Sequence, residues 1–223
     1  MRSRENFDQD LNQIRSLIVH MGRIDCLAIE GAIKVLVDES YGLINEVRDQ
    51  EKQVDLDYEK LDEIAIRTIA LHQPIASDLR LIIASVKIAS ELERVGDYAN
   101  NIVRTIKRSR KEKDAIMPEA VKVKISELAD ESLRVLRKSI EVYGNLEVES
   151  LQELACAPDA VGKLKKQMED EVAIWAAQDL NSAQSALRIY KIGRYLERVV
   201  DRSANISEWI WYQVYGTRMR RGE

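Results

Sequence analysis

The sequence predicts an all-α protein built as two tandem three-helix bundles, with six long antiparallel helices related by internal duplication. Three observations support this prediction. Apolar residues recur at three- and four-residue steps over most of the chain, which is the period of an amphipathic helix. Only 3 prolines and 9 glycines occur in 223 residues, too few for the many turns of a β-sandwich or barrel. A twelve-residue segment also recurs in the second half of the chain.

The first half contains three predicted helices. The first begins near Phe7 and continues to a break at Tyr41-Gly42. Its apolar residues form a seven-residue repeat of the coiled-coil kind: Leu11, Ile14, Ile18, Met21, Ala28 and Val35. The second helix ends at His72-Gln73-Pro74, because a residue that precedes proline avoids the helical region. Ser77-Asp78 supplies a capping hydroxyl and a first-turn acid for the third helix, which runs to about Lys107.

A charged stretch at residues 107–114, followed by Pro118, separates the two halves. The predicted domains are therefore residues 1–114 and 115–223, each a three-helix repeat. Helices of roughly 25 to 30 residues are about 40 Å long. Long helices joined by short turns favour antiparallel bundles.

The second half repeats the plan of the first. A fourth helix is predicted from about Glu119 to Tyr143, and Pro158 marks a break before the fifth. Asn181-Ser182 can cap a sixth helix, which continues to about Tyr215.

Composition restricts the class of protein. The chain has 34 basic and 38 acidic residues, a net charge of −4, so it lacks the concentrated basic character of nucleic-acid-binding proteins. It shows no N-terminal apolar signal and no run of 18 or more apolar residues. Cys26 and Cys156 lie in no paired motif and are expected to be reduced, mostly buried thiols. We therefore predict a cytoplasmic protein with no direct membrane insertion.

The recurring segment carries a repeated set of oxygen-bearing side chains. Glu91–Ile102 aligns with Tyr195–Ile206 at an offset of 104, and seven of the twelve positions are identical. Two acids and an amide occupy positions i, i+4 and i+8 in each copy: Glu93, Asp97 and Asn101, then Glu197, Asp201 and Asn205. Each trio clusters on the helix face opposite the apolar residues. We expect it to face solvent, a neighbouring helix or a ligand.

Two carboxylates at i and i+4 repel each other, so their presence in both halves requires a positive partner. Arg94 precedes Asp97, and Arg198 precedes Asp201, by three residues, which permits local ion pairs. The pattern alone leaves both a solvated, ion-paired helix face and a bound cation open.

The second predicted helix adds carboxylates to the first half. Acids recur on it every four residues: Glu51, Asp55, Glu59 and Glu63. If the second and third helices pack side by side, Glu51 and Asp55 converge with Glu93 and Asp97. An all-oxygen set suits Mg, Ca, Mn or oxidised iron. The missing Glu-x-x-His pattern argues against a ferritin-like di-iron oxygenase.

The second half departs from this arrangement. Pro158 and Gly162 stand near the positions where the first two acids of that row would align. Three lysines follow them: Lys163, Lys165 and Lys166. We predict that one or more of these ammonium groups neutralises Glu197 and Asp201 in place of a metal.

No catalytic constellation is evident in the sequence. It contains no Gly-rich phosphate loop, no His-x-x-x-His zinc pair and no Ser or Cys nucleophile with an obvious base. This absence favours a non-enzymatic protein. One alternative is a carboxylate-bridged metalloenzyme acting on phosphate esters or oxygen, which would need a vacant coordination position beside an acid or base. The other is a purely structural helical scaffold.

The chain resembles the PhoU family of phosphate-uptake regulators over essentially its whole length. Segments in both halves carry the resemblance: Gln73–Arg80, Lys87, Leu92–Asp97 and Asn101-Ile102, then Leu196–Asp201 and Asn205-Ile206. The sequence departs from the family pattern at Arg202, where His is common, and at Pro158 and Gly162, where the family has acids.

This resemblance implies a cytoplasmic, often dimeric protein made of two tandem three-helix bundles. It also implies negative regulation, because PhoU-like proteins link the phosphate ABC transporter to a sensor histidine kinase and damp the phosphate-starvation response. Some members hold multinuclear metal clusters on acidic motifs, and Fe, Mg, Mn, Ca and Zn are the candidate ions here. The pattern and the resemblance together give the predicted ligands: Glu51, Asp55, Glu93, Asp97, Asn101, Glu197, Asp201 and Asn205.

Overall fold

The computed structural model describes residues 2–112, 115–178 and 180–219. Within these ranges the regular elements are six α-helices and two single turns of 3₁₀ helix, at Tyr41–Leu43 and Val148–Ser150. Helices α1 to α6 span Arg2–Val37, Ile44–His72, Ala76–Glu112, Glu119–Asn145, Leu151–Ala176 and Leu180–Tyr215. The all-α prediction is confirmed. None of these helices is both long and apolar enough to cross a lipid bilayer.

The predicted break at Pro158 is wrong, because α5 runs through this residue without interruption. Proline removes one main-chain hydrogen bond from a helix interior. Apolar residues on both sides of it are nevertheless buried: Leu151, Leu154, Ala155, Ala157 and Val161. Packing of this face holds the segment helical where the local sequence alone predicts a break.

Other helix limits differ from the predictions by a few residues. Ser77 and Asn181 lie inside the first turns of α3 and α6 and do not precede those helices as caps. The third helix continues beyond Lys107 to Glu112 because basic and acidic residues with long side chains are good helix formers. The predicted domain boundary at residue 114 lies outside the described residues.

The helices form two bundles, α1–α3 and α4–α6, here called the first and second bundles. They join where α1 packs on α4 and where α3 packs on α6, and the buried residues of all six helices form one continuous core. Gly22 permits the close approach of α1 to α4, because a Cβ atom there would collide with the side chain of Ile140. A hydrogen bond of 2.8 Å between Ser85 Oγ and Tyr143 Oη also joins α3 to α4.

Contacts between α3 and α6 preserve the symmetry of the duplication. Arg202 Nη1 lies 3.0 Å from Glu91 Oε2, and the rings of Tyr98 and Tyr195 stack with centroids 6.0 Å apart. At the offset of 104, residue 91 corresponds to 195 and residue 98 to 202. Exchanging the two bundles therefore turns one contact into the other, which identifies an approximate twofold relationship between α3 and α6. The ion pair Arg202–Glu91 and the aromatic pair Tyr98–Tyr195 therefore occupy symmetry-related positions in this interface.

The two cysteines are both free but differ in exposure. Cys26 on α1 is buried, and burial raises the pKa of its thiol to about 12. Cys156 is exposed on α5, so the expectation that both thiols are mostly buried is wrong for this residue. Its side chain lies on the outward face of the helix, between the buried residues Ala155 and Ala157.

Candidate metal centre

The duplicated trios lie opposite the buried faces of α3 and α6. Glu93 and Asn101 are half-buried and Asp97 is exposed, whereas all three members of the second trio are half-buried. The positions opposite them are buried in both copies: Leu92, Val95, Ala99, Ile102 and Ile106, then Leu196, Val199, Ser203, Ile206 and Ile210. The predicted division between apolar and oxygen-bearing faces is therefore present in the structure.

Helix α2 packs beside α3 and brings Glu51 and Asp55 to Glu93 and Asp97; we call these four residues the acidic cluster. Partial burial raises the pKa of Glu93, and the carboxylates of Asp97 and Asp55 raise it further, against a smaller opposite effect of Arg94. Burial also raises the pKa of Asp55, and the negative charges of Glu51 and Asp97 add to this effect. The four charges destabilise one another, so the cluster favours binding a proton or a cation.

The ion-paired alternative for the first bundle does not match the contacts of Arg94. Its Nη1 atom lies 3.8 Å from Glu91 Oε1, on the side of the joint with α6. Among the described residues, no basic side chain lies within ion-pair distance of Asp97. The positive partner that the sequence pattern requires is therefore not supplied by the nearest arginine.

A fifth carboxylate, which was not predicted from the sequence, lies behind the acidic cluster. Asp25 on α1 is fully buried, and this burial raises its pKa well above the ordinary value, with further contributions from Glu93 and Asp55. Position 25 falls on the apolar stripe of α1, four residues after Met21 and three before Ala28. The sequence signal that could have identified Asp25 is an acidic residue among the apolar residues of one helix face.

Of two neighbouring asparagines, Asn100 and not the predicted ligand Asn101 forms a hydrogen bond with the acidic cluster. Asn100 Nδ2 donates a hydrogen bond of 2.7 Å to Glu51 Oε1 and so joins α3 to the acidic cluster. Asn101, the predicted ligand, accepts a hydrogen bond through its main-chain carbonyl from Thr105 Oγ1 at 2.8 Å. The choice between them depends on where α2 lies, which the spacing along α3 does not reveal.

The chemistry of the cluster fits a hard cation, although its side chains are not gathered around one point. Within the described ranges, no three His, Cys, Asp or Glu side chains are positioned to hold a metal ion together. Aspartate and glutamate oxygens are the preferred ligands of Mg²⁺, Ca²⁺ and Mn²⁺. Binding would therefore require the side chains to rotate toward a common centre.

The second bundle places an ammonium group where the first has acids. Lys165 Nζ lies 3.2 Å from Glu197 Oε1 and 3.1 Å from Glu169 Oε1. Burial lowers the pKa of Lys165, but hydrogen bonds to these two carboxylates outweigh it, and the net shift is upward. Asn205 instead donates to Glu91 Oε2 at 3.2 Å across the joint between the bundles. Glu197 thus pairs with a lysine, whereas Asn205 contacts α3.

The two similar three-helix bundles, each with the same acidic motif on its third helix, place this protein among the tandem-repeat α-helical proteins. The PhoU domain matches this chain twice, over residues 18–106 and 125–210, and the chain belongs to the PhoU family. The two matches cover most of both bundles, as the duplication predicts.

Relatives from several bacteria match over nearly the whole chain. A protein of Deinococcus radiodurans is 30% identical, with 96% of this chain and 99% of the relative covered. One from Pseudomonas putida is 28% identical, covering 97% and 83% respectively. Both are named phosphate-specific transport system accessory protein PhoU homolog. The crystal structure of PhoU from Pseudomonas aeruginosa superposes with a TM-score of 0.87 at 27% identity, covering 95% of this chain and all of that one.

Proposed function

We propose that this protein is a non-enzymatic accessory regulator of phosphate uptake. It acts in the cytoplasm, contacts subunits of the phosphate ABC transporter and restrains a sensor histidine kinase when phosphate is plentiful. The observation that carries this proposal is the match of both bundles, over nearly the whole chain, to proteins named as accessory to phosphate transport. We expect the active form to be a homodimer, which light scattering of the purified chain would test.

Loss of a negative regulator should derepress its target genes. Deleting the gene is expected to raise the expression of phosphate-starvation genes in cells grown with abundant phosphate. Restoring the gene should return expression to the repressed level. Unchanged expression after deletion would contradict the regulatory role.

The metal-binding part of the proposal concerns the acidic cluster. Two observations support a divalent or trivalent cation at this place. No basic side chain of the described ranges pairs with Asp97, and the carboxylates of the acidic cluster repel one another. A bound cation would neutralise the carboxylates and join α2 to α3. It would thereby rigidify one outward face of the first bundle, which can then serve as a surface for a partner protein.

A complementation experiment can test whether regulation requires the cation. Complementing the deletion with Glu93→Ala/Asp97→Ala is expected to leave phosphate-starvation genes partly derepressed. Glu63→Ala is the matched control, because Glu63 is an exposed acid on the same row of α2 outside the acidic cluster. Full repression by the double variant would show that regulation does not need the cation.

A further inference from the structure

Asp25 is a buried carboxylate with no partner of its own. It is 0% exposed, and neither Oδ1 nor Oδ2 has a hydrogen-bond partner among the described residues. A buried acid normally receives donors or a counter-ion, because removing its charge from water is costly. Asp57, which is also buried, follows this rule. His20 Nδ1 lies 2.8 Å from its Oδ2, and Gln53 Nε2 lies 3.2 Å from its Oδ1. Asp25 therefore needs a partner that the described part of the chain does not supply.

The carboxylate of Asp25 lies where the three helices of the first bundle meet. Its Oδ1 atom is 3.2 Å from the position that a Cβ atom on Gly96 of α3 would occupy. The same position lies 3.8 Å from the Cα atom of Glu51 on α2. Because Gly96 has no side chain, the carboxylate of Asp25 fits against α3 at the residue that precedes Asp97. The carboxylates of Glu93 and Asp55 are close enough to act on Asp25 electrostatically.

The second bundle provides an internal comparison. The 3₁₀ turns begin at residues 41 and 148, an offset of 107, which matches Asp25 with Ser132 on α4. Ser132 is also 0% exposed, but its Oγ donates to the carbonyl oxygen of Leu128 at 2.7 Å. The counterpart of Gly96, at the offset of 104 for α3 and α6, is the buried Val200.

The same offset of 107 matches Glu51 with Pro158 and Asp55 with Gly162. The bundle that has lost the acids of α2 has therefore also lost the acid of α1 and the glycine that makes room for it. These replacements occur together, as expected if the residues serve one ligand.

We infer that Asp25 is an additional, interior ligand of the cation held by the acidic cluster, so that the cation joins all three helices of the first bundle. This inference rests on the proposed metal binding. It assigns a cation-binding residue to α1, outside the repeated acidic motif. The acidic cluster would contribute oxygens from the solvent side, and Asp25 would contribute one from the core side. Gly96 is then a positioning residue, which leaves space for the interior carboxylate.

Calorimetric titration of chelator-treated full-length protein with Mn²⁺ tests the inference, with Mg²⁺, Zn²⁺ and Fe³⁺ titrated in parallel. Asp25→Asn is expected to weaken Mn²⁺ binding by about 10-fold to 100-fold or more, since even residues that only orient metal ligands have effects of this size. In the metal-free state the same variant should melt at a higher temperature than the wild type, because it removes an uncompensated buried acid. A merely structural role for Asp25 would predict neither the loss of affinity nor the gain in stability.

Asp57→Asn is the matched control, because it removes another buried aspartate of the first bundle. It should keep the wild-type Mn²⁺ affinity and should melt at a lower temperature, since it breaks an existing contact with His20. Asp25→Ser/Gly96→Val is a second test variant. It installs the residues that the second bundle already packs at these positions, so it is expected to fold and to bind Mn²⁺ as weakly as Asp25→Asn.

The outcomes separate this inference from the proposed function. If the wild type and Asp25→Asn bind Mn²⁺ equally, Asp25 is not a ligand, while metal binding by the acidic cluster stands. If the wild type binds none of the four ions, the metal-binding part of the proposed function and this inference both fail. The regulatory role is tested independently by the gene deletion.

Discussion

Lys165 on α5 and Glu197 on α6 form an ion pair, in which Nζ lies 3.2 Å from Oε1. The equivalent acid of the first bundle, Glu93, instead lies among other carboxylates, and burial with Asp97 and Asp55 raises its pKa. The two bundles therefore meet the same like-charge repulsion in different ways. In the second bundle the chain supplies the positive charge, and in the first we propose that it comes from solution.

Removing the ammonium group of Lys165 should make the second bundle attractive to cations. We expect Lys165→Met, in a background of Glu93→Ala/Asp97→Ala, to bind Mn²⁺ detectably when the background alone does not. The loss in the free energy of unfolding should be about 1 kcal/mol or less, because partly exposed ion pairs contribute little. Calorimetric titration and thermal unfolding measure the two effects.

Lys166→Met is the control for that experiment. Lys166 pairs with Asp170 at 2.9 Å, away from Glu197, and its side chain is 70% exposed. Its replacement should leave Mn²⁺ binding unchanged. If Lys165→Met also fails to create a binding site, the lysine is not what excludes a cation from the second bundle.

The carboxyls with raised pKa values should make the stability of the metal-free protein depend on pH. Burial and neighbouring charges raise the pKa values of Asp25, Asp55 and Glu93 above their ordinary values, so these groups bind protons more tightly in the folded state. Their contribution to stability is complete below the ordinary pKa and is lost as the pH rises through the raised one. The free energy of unfolding should therefore fall as the pH rises above the ordinary carboxyl range, and less steeply in Asp25→Asn.

Urea unfolding at several pH values, after dialysis against a chelator, measures this dependence. The comparison between the wild type and Asp25→Asn isolates one carboxyl, because acids elsewhere with lowered pKa values, such as Glu30 and Glu131, are common to both proteins. Parallel curves for the two proteins would contradict the assignment of a raised pKa to Asp25.

The hydrogen bond between Ser85 and Tyr143 should contribute measurably to the joint between the bundles. Both residues are buried, at 0% and 4% exposure, so either single replacement leaves a polar group without its partner. We expect Tyr143→Phe and Ser85→Ala each to lower the free energy of unfolding by about 1–2 kcal/mol. The double variant should lose less than the sum of the two, and simple additivity in denaturant unfolding would show that the residues are not coupled.

The helical architecture was predictable because helix periodicity is a local property of the chain. The apolar positions opposite the trios, such as Leu92 and Leu196, were identified from spacing alone and are buried. The limits of the helices were harder to predict. Pro158 is a local signal for a break, but the burial of its neighbours, including Leu154 and Val161, overrides that signal. Such packing depends on residues that are remote in sequence.

The candidate site was predictable where its residues share one helix, and less so where several helices contribute. The spacing of Glu93 and Asp97 placed them on one face, and the acids on α2 were matched to them on the assumption that the helices pack together. Asp25 was missed because its relation to the acidic cluster arises from the packing of α1 against both other helices. Asn100 was passed over for the same reason.

We propose that the first bundle binds a cation and that the second uses a lysine in its place. Elemental analysis of gently purified protein can distinguish the two bundles, by comparing Glu93→Ala/Asp97→Ala with Glu197→Ala/Asp201→Ala. We predict that the first double variant loses the bound metal and that the second retains the wild-type amount per chain. An equal loss from both double variants, or a wild-type protein purified and reconstituted without any bound metal, would contradict it.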